Sequence, residues 1–197
     1  MIDKIKIESA ATDIYSKHCK RGSPAKMLPK ILAAENVKLR EIDDNEKFLG
    51  AFLKSPKTGT PYIFVNKNID NIGRKKFTLS HELGHFVLQH YLHTTSFFCK
   101  ESDIKEEGEV NSEQEKEANY FASCFLLPKD RVVREFTNWF QYRINPNGKA
   151  FLHVDLHNGK SFSNWKAISS NLMKMFEVSE IVVKIRLTEL GLIRCNF

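Results

Sequence analysis

RKKFTLSHELGHFVLQHY, residues 74–91, sets two histidines four apart and places a glutamate directly after the first. On a helix, positions i and i+4 share a face. His81 and His85 can therefore each turn one ring nitrogen toward a single ion, and neutral imidazole is a good zinc ligand. Glu82 stands about 100° further round the helix. It is beside the metal without being drawn into ligation, which is where a base for the attacking water belongs. Gly84, lacking a side chain, is expected to face the cleft and leave room for an extended substrate. Chance alone would put an HExxH in on the order of 2% of chains of this size and composition. The flanks argue against chance. Phe77, Leu79, Leu83, Phe86, Val87 and Leu88 make this helix largely apolar, and burying two histidines and a glutamate without partners is costly. A metal removes that cost, so Zn2+ is the expected cofactor.

A catalytic zinc takes three protein ligands and keeps one open position. The third ligand must come from another element, and SEQEKEANYFASCFLLP, residues 112–128, offers Glu113, Glu115 and Glu117. The apolar face of this helix, formed by Ala118, Phe121, Ala122, Phe125 and Leu126, centres near Ala118. Glu115 falls about 60° from that centre and points inward, whereas Glu117 falls about 100° away and Glu113 further still. Glu115 is therefore the expected third ligand. Glu113 and Glu117 are expected to be solvated acids that suit the positive end of the helix dipole. Asn119, on the same helix, is expected to hydrogen-bond a ligand histidine from behind. His90 and His93, near the end of the motif helix, are expected to serve as C-terminal cations or face solvent rather than bind metal. His153 and His157 flank an expected turn and stay outside the site. Trp139, Phe140 and Tyr142 are expected in a core or on a partner surface.

The bulk properties set the frame. The chain has 197 residues, 42% hydrophobic and 27% charged, the balance of a soluble globular protein. One domain is expected over 1–197, with a zinc-site core over about 22–130 and a variable helical part over 131–197. No apolar run reaches the roughly 18 residues of a membrane span. MIDKIKIESAATD lacks the apolar region of a signal peptide. Cys19, Cys99, Cys124 and Cys195 form no CxxC pair and read as free thiols, which points to the cytoplasm. The net charge of +6 is diffuse, and no zinc-finger or RRM pattern accompanies it. Direct nucleic-acid binding is therefore not expected.

Along the chain, helices are expected over 8–20 and 24–35, the second opened by Ser23 and Pro24. Strands are expected over 37–42, 48–54 and 60–66, with SPKTG turning a hairpin between the last two. The motif helix should run from about 71 to 92. Residues 99–113 read as an acidic loop, expected to shield the cleft. Helices follow over 113–127, ending at Pro128, and over 129–142. Residues 142–162 read as loop with a hairpin, because Asn-Gly occurs twice. Two short helices close the chain, the first capped by Ser161 or Ser163 and the second running from Ser179 to a stop at Gly191. The expected fold class is α+β: a mainly helical, zincin-like core with a small three-stranded sheet packed on the HExxH helix.

RKKFTLSHELGHFVL followed by EKEANYFASCFLLP resembles the ImmA/IrrE family of zinc metallopeptidases. Members lead into HExxH with Arg-x-x-Phe-Thr and carry a Glu-x-x-Ala-Asn-x-Phe-Ala segment ending in Leu-x-Pro. FEVSEIVVKIRLTELGLI, residues 176–193, is similar to the family's closing helix. The resemblance implies His81, His85 and Glu115 as metal ligands and Glu82 as general base. It also implies a protein substrate, a repressor-like regulator such as a helix-turn-helix repressor of a mobile element or a stress regulon. Many relatives carry an N-terminal helix-turn-helix, for which the residues before the matched region leave no room here. A different class of function keeps the fold without proteolysis, as a partner-binding module of a two-gene regulatory or toxin–antitoxin pair. The complete set His81, Glu82, His85 and Glu115 argues for the enzyme.

Overall fold

The computed structural model describes residues 2–19, 22–44, 48–92, 96–100, 113–139, 152–155 and 159–196. Its contacts divide the chain into two compact units, Met1–Leu126 and Leu127–Phe197. The chain was expected to be one domain with a core ending near residue 130; the division falls close to that core boundary.

In the first unit, helix α1 (Lys4–His18) starts earlier than expected because the side chain of Asp3 accepts a hydrogen bond from the Lys6 N–H at 3.1 Å. Helix α2 (Pro24–Ala34) has Ser23 at its N-cap and Pro24 in its first turn, as the sequence implies. Strands β1 (Lys38–Ile42), β2 (Phe48–Lys54) and β3 (Pro61–Asn66) stand where the alternating apolar residues put them. β2 and β3 pair antiparallel. Their turn closes with the Ser55 N–H on the Thr60 carbonyl at 2.9 Å and with Gly59 at φ +67°. β1 runs parallel to β3, Lys38 opposite Tyr62. A fourth strand, β4 (Ser96–Lys100), adds antiparallel to β2, giving the order β1-β3-β2-β4. It takes Cys99 and Lys100 from the expected acidic loop. The rest of that loop, 101–112, lies outside the described residues.

Helix α3 (Ile72–Val87) carries the HExxH motif and is capped by Asn71, whose side chain accepts from the Arg74 N–H at 2.9 Å. It ends five residues earlier than the expected 92. Gln89 adopts a left-handed conformation, φ 59°, and His90–Leu92 form a separate 3-10 turn. Helix α4 (Glu113–Leu126) packs along α3. The sheet covers another side of α3, where Phe52 of β2 meets Phe86 with ring centroids 6.1 Å apart. The core between these layers is apolar and fully buried at Leu28, Ile31, Phe52, Ile63, Leu83, Phe121 and Phe125.

The second unit contains α5 (Lys129–Trp139), β5 (Leu152–Asp155), α6 (Gly159–Phe176), α7 (Glu180–Glu189) and β6 (Ile193–Asn196). Most of the loop and hairpin expected over 142–162 lies outside the described residues. Among the described residues, β5 pairs parallel with the distant β6, Leu152 opposite Ile193. α6 is not short; it has 18 residues and starts at Gly159. Ser161 and Ser163 therefore lie inside its first turns rather than capping it, and the Ser163 hydroxyl donates to the Gly159 carbonyl at 2.8 Å. α7 follows Ser179 and stops before Gly191, φ +67°, as expected. Arg186 is fully buried in this unit, and its Nε–H donates to the Leu127 carbonyl at 3.0 Å. Among the described residues, no helix is long and apolar enough to cross a membrane.

Candidate metal centre

His81 and His85 project from one face of α3 toward α4, where Glu115 meets them. His81 Nε2 lies 3.0 Å from Glu115 Oε2, and His85 Nε2 lies 3.3 Å from Glu115 Oε1. The two Nε2 atoms are 3.0 Å apart. Both histidines are fully buried, and the Glu115 side chain is 17% exposed. Among the described residues this is the group of metal-capable side chains that converges, with the three donor atoms within 4.8 Å of one another. A tetrahedral ion with ligands at about 2.0–2.1 Å separates neighbouring donors by about 3.3 Å. The three residues therefore fit one small cation.

Hydrogen bonds behind the rings support that fit. His81 Nδ1–H donates to Asn119 Oδ1 at 2.8 Å, so the neutral ring keeps its Nε2 lone pair for the convergence point. Asn119 is thus placed as the sequence implies. His85 Nδ1 contacts His90 Nδ1 at 2.9 Å, and His90 Nε2–H donates to Glu117 Oε2 at 3.0 Å. Two expectations are corrected here. His90 does not face solvent; it is 4% exposed. Glu117 is no solvated acid either, for its carboxylate holds His90. A continuous helix would turn His90 about 140° away from His85. The left-handed Gln89 instead folds the chain back and returns His90 to the site. No local pattern in the sequence marks this pair, because it depends on the left-handed turn at Gln89 and on the packing of α4.

The electrostatics suit one positive charge. Burial alone would lower the His81 pKa, but the Glu115 hydrogen bond and the charges of Glu82 and Glu115 outweigh it and leave His81 raised above its ordinary 6.5. Burial pushes His85 down to about 4, with the His81 charge adding to the effect and the Glu115 hydrogen bond opposing it. Burial would raise Glu115, yet its hydrogen bonds with His81 and His85 hold it well below the usual carboxylate range. Burial also lowers His90 against the opposing hydrogen bond to Glu117.

Glu82, fully buried, lies on the sheet side of α3. Gly50 of β2 faces it. A Cβ on Gly50 would stand 3.1 Å from Glu82 Oε1, 2.6 Å from Thr78 Cγ2 and 3.2 Å from the Phe64 carbonyl oxygen. Gly84 does not serve the cleft as expected. A Cβ there would stand 3.2 Å from Ala118 Cα and 3.1 Å from Phe121 Cδ1, so this glycine permits the close approach of α4. His93 and His157, the side chain of His153, and Phe140 and Tyr142 lie outside the described residues. Trp139 is 52% exposed at the end of α5.

The model of the Peptidase_M78 family, described as the IrrE N-terminal-like domain, matches residues 32–188. The chain belongs to the ImmA/IrrE family. No curated protein matches the chain. Peptidase_M78 is a metallopeptidase family, and the match bears out the resemblance carried by HELGH and EKEANYFA. It spans α3 and α4, the two helices that carry His81, His85 and Glu115, and it runs on through α6 and most of α7.

Proposed function

We propose that this protein is a cytoplasmic, zinc-dependent metalloendopeptidase that cleaves a regulatory protein, a helix-turn-helix repressor of a mobile element or a stress regulon. The observation that carries the enzymatic part is the convergence of His81 Nε2, His85 Nε2 and the Glu115 carboxylate within 4.8 Å, with Glu82 buried beside them. The substrate class rests on the family resemblance. His81, His85 and Glu115 would hold the ion and leave a position open for water and substrate. An ion held there would supply Lewis-acid chemistry, polarising the scissile carbonyl and lowering the pKa of water. Glu82 takes the proton of the attacking water and passes it to the departing amine nitrogen. Gly50 leaves the Glu82 carboxylate its seat against β2. Asn119 holds the His81 ring with its lone pair toward the ion.

The test is metal content together with cleavage. The purified protein should bind about one zinc per chain through a three-ligand catalytic site. His81→Ala and Glu115→Ala should lose it. Glu82→Gln should keep the zinc and abolish cleavage of a repressor-like partner. Full biological activity in Glu82→Gln would instead favour a non-proteolytic, partner-binding role.

A further inference from the structure

The buried contact between His85 and His90 has a direction, and the direction follows from Glu117. A carboxylate only accepts hydrogen bonds. His90 must therefore present Nε2–H to Glu117 Oε2, 3.0 Å away. In a neutral imidazole one nitrogen donates and the other accepts, so His90 Nδ1 carries a lone pair. That lone pair faces His85 Nδ1 at 2.9 Å, and only Nδ1–H on His85 completes the contact. His85 is thereby left with its Nε2 lone pair turned toward His81 and Glu115. We infer that Glu117 and His90 form a two-step hydrogen-bond relay that positions His85, locks it in the Nδ1–H form and so sets the metal affinity of the site. This inference rests on the metal reading proposed above.

The relay is built rather than incidental. His90 reaches it only because Gln89 takes the left-handed conformation, φ 59°, which is uncommon for a residue with a side chain. Glu117 comes from the same helix as Glu115, so α4 supplies one oxygen ligand directly and orients a nitrogen ligand through His90. His81 is held by Asn119 from that helix too. All three donors thus depend on α4. His90 and Glu117 touch no reacting atom; they are positioning residues.

The experiment compares His90→Phe, His90→Asn, Glu117→Leu and the His90→Asn/Glu117→Leu pair in the full chain. Zinc affinity is read by chelator competition, and the His85 tautomer by 15N chemical shifts in the metal-free protein. Loss of partners behind a ligand histidine typically weakens metal binding by about ten- to a hundredfold. His90→Phe should show that loss and move the His85 proton toward Nε2. His90→Asn, whose carbonyl oxygen can stand where Nδ1 stood, should recover most of the affinity. Adding Glu117→Leu to His90→Asn should change nothing further, because Glu117 acts through His90. A folded His90→Phe with unchanged affinity and unchanged His85 shifts would overturn the relay while leaving the zinc centre intact. If His90→Phe does not fold, Glu117→Leu, at a side chain 28% exposed, decides by the same two measurements. If the wild-type protein takes up no zinc, the metal reading fails, and the 15N shifts still decide the relay.

Discussion

Gly84 on α3 and Ala118 on α4 touch backbone to backbone: a Cβ on Gly84 would stand 3.2 Å from Ala118 Cα and 3.3 Å from its carbonyl oxygen. This approach brings Glu115 to the histidines. Alanine at 84 gains up to about 1 kcal/mol of helix propensity but must push α4 by a few tenths of an ångström. Valine cannot be accommodated, and overpacking costs about 1–3 kcal/mol. Gly84→Val should lower the thermal midpoint and weaken zinc binding together. Unchanged values for both would show that the helices are not held at this distance by the glycine.

Gly50 makes the opposite demand. It spares space for a carboxylate instead of a helix. Gly50→Ala places a methyl 2.6 Å from Thr78 Cγ2 and 3.1 Å from Glu82 Oε1, so the Glu82 carboxylate must shift. Proton transfer by a positioned side chain contributes about 10²–10⁴-fold. Gly50→Ala should lose about a hundredfold in kcat while zinc stoichiometry stays at the wild-type value. Wild-type kcat in a folded Gly50→Ala would remove Glu82 from the role of base.

Metal uptake should depend on pH through His81. Its pKa is raised above 6.5, and a protonated ring cannot ligate, so binding releases a proton. Zinc affinity should rise with pH, about tenfold per unit below the raised value, and level off above it. His85, pushed down to about 4, is already deprotonated there. The metal-free protein follows the opposite sign. The His81 proton stabilises it below pH 6.5, and that contribution is lost as pH rises through the raised folded value. Chelator competition across neutral pH measures the first effect, and a flat profile would contradict it.

A second titration lies away from the metal. Glu35, just past α2, accepts from Lys17 Nζ at 2.7 Å and contacts His18 Nε2 at 2.6 Å, both at the end of α1. The Lys17 hydrogen bond, joined by His18 against the effect of burial, lowers the Glu35 pKa below 4.5. Its contribution is complete above that value and fades as pH falls through the lowered folded one. Glu35→Gln should therefore melt lower than wild type at neutral pH, and the gap should close in acid. A gap of equal size at every pH would assign the loss to packing.

The convergence of His81, His85 and Glu115 is legible in the sequence because each obeys helix periodicity. His81 and His85 share a face, and Glu115 intrudes on an apolar stripe. Periodicity also hides the pairing of His90 with Glu117. It holds only while the helix continues, and nothing in the composition of FVLQHY announces that Gln89 turns left-handed. Gly84 and Gly50 look alike in sequence, yet one admits a helix and the other a carboxylate, a distinction set by tertiary neighbours. β2 and β3 were legible from their alternation and the SPKTG turn. β4, β5 and β6 are short, and each exists by pairing with a partner far along the chain, which local pattern does not register.

β1 stands at one edge of the first unit's sheet among the described residues, and Lys38, Arg40 and Glu41 lie along it, with Lys38 and Glu41 directed to solvent or salt-bridged. Unpaired strand edges are templates for the addition of another chain, and charge along an edge opposes that addition. The sheet that seats Glu82 is thus guarded against aggregation on its β1 side. Replacing Lys38 and Arg40 with valine or threonine would trade colloidal solubility for strand propensity, with no side chain of the metal centre altered.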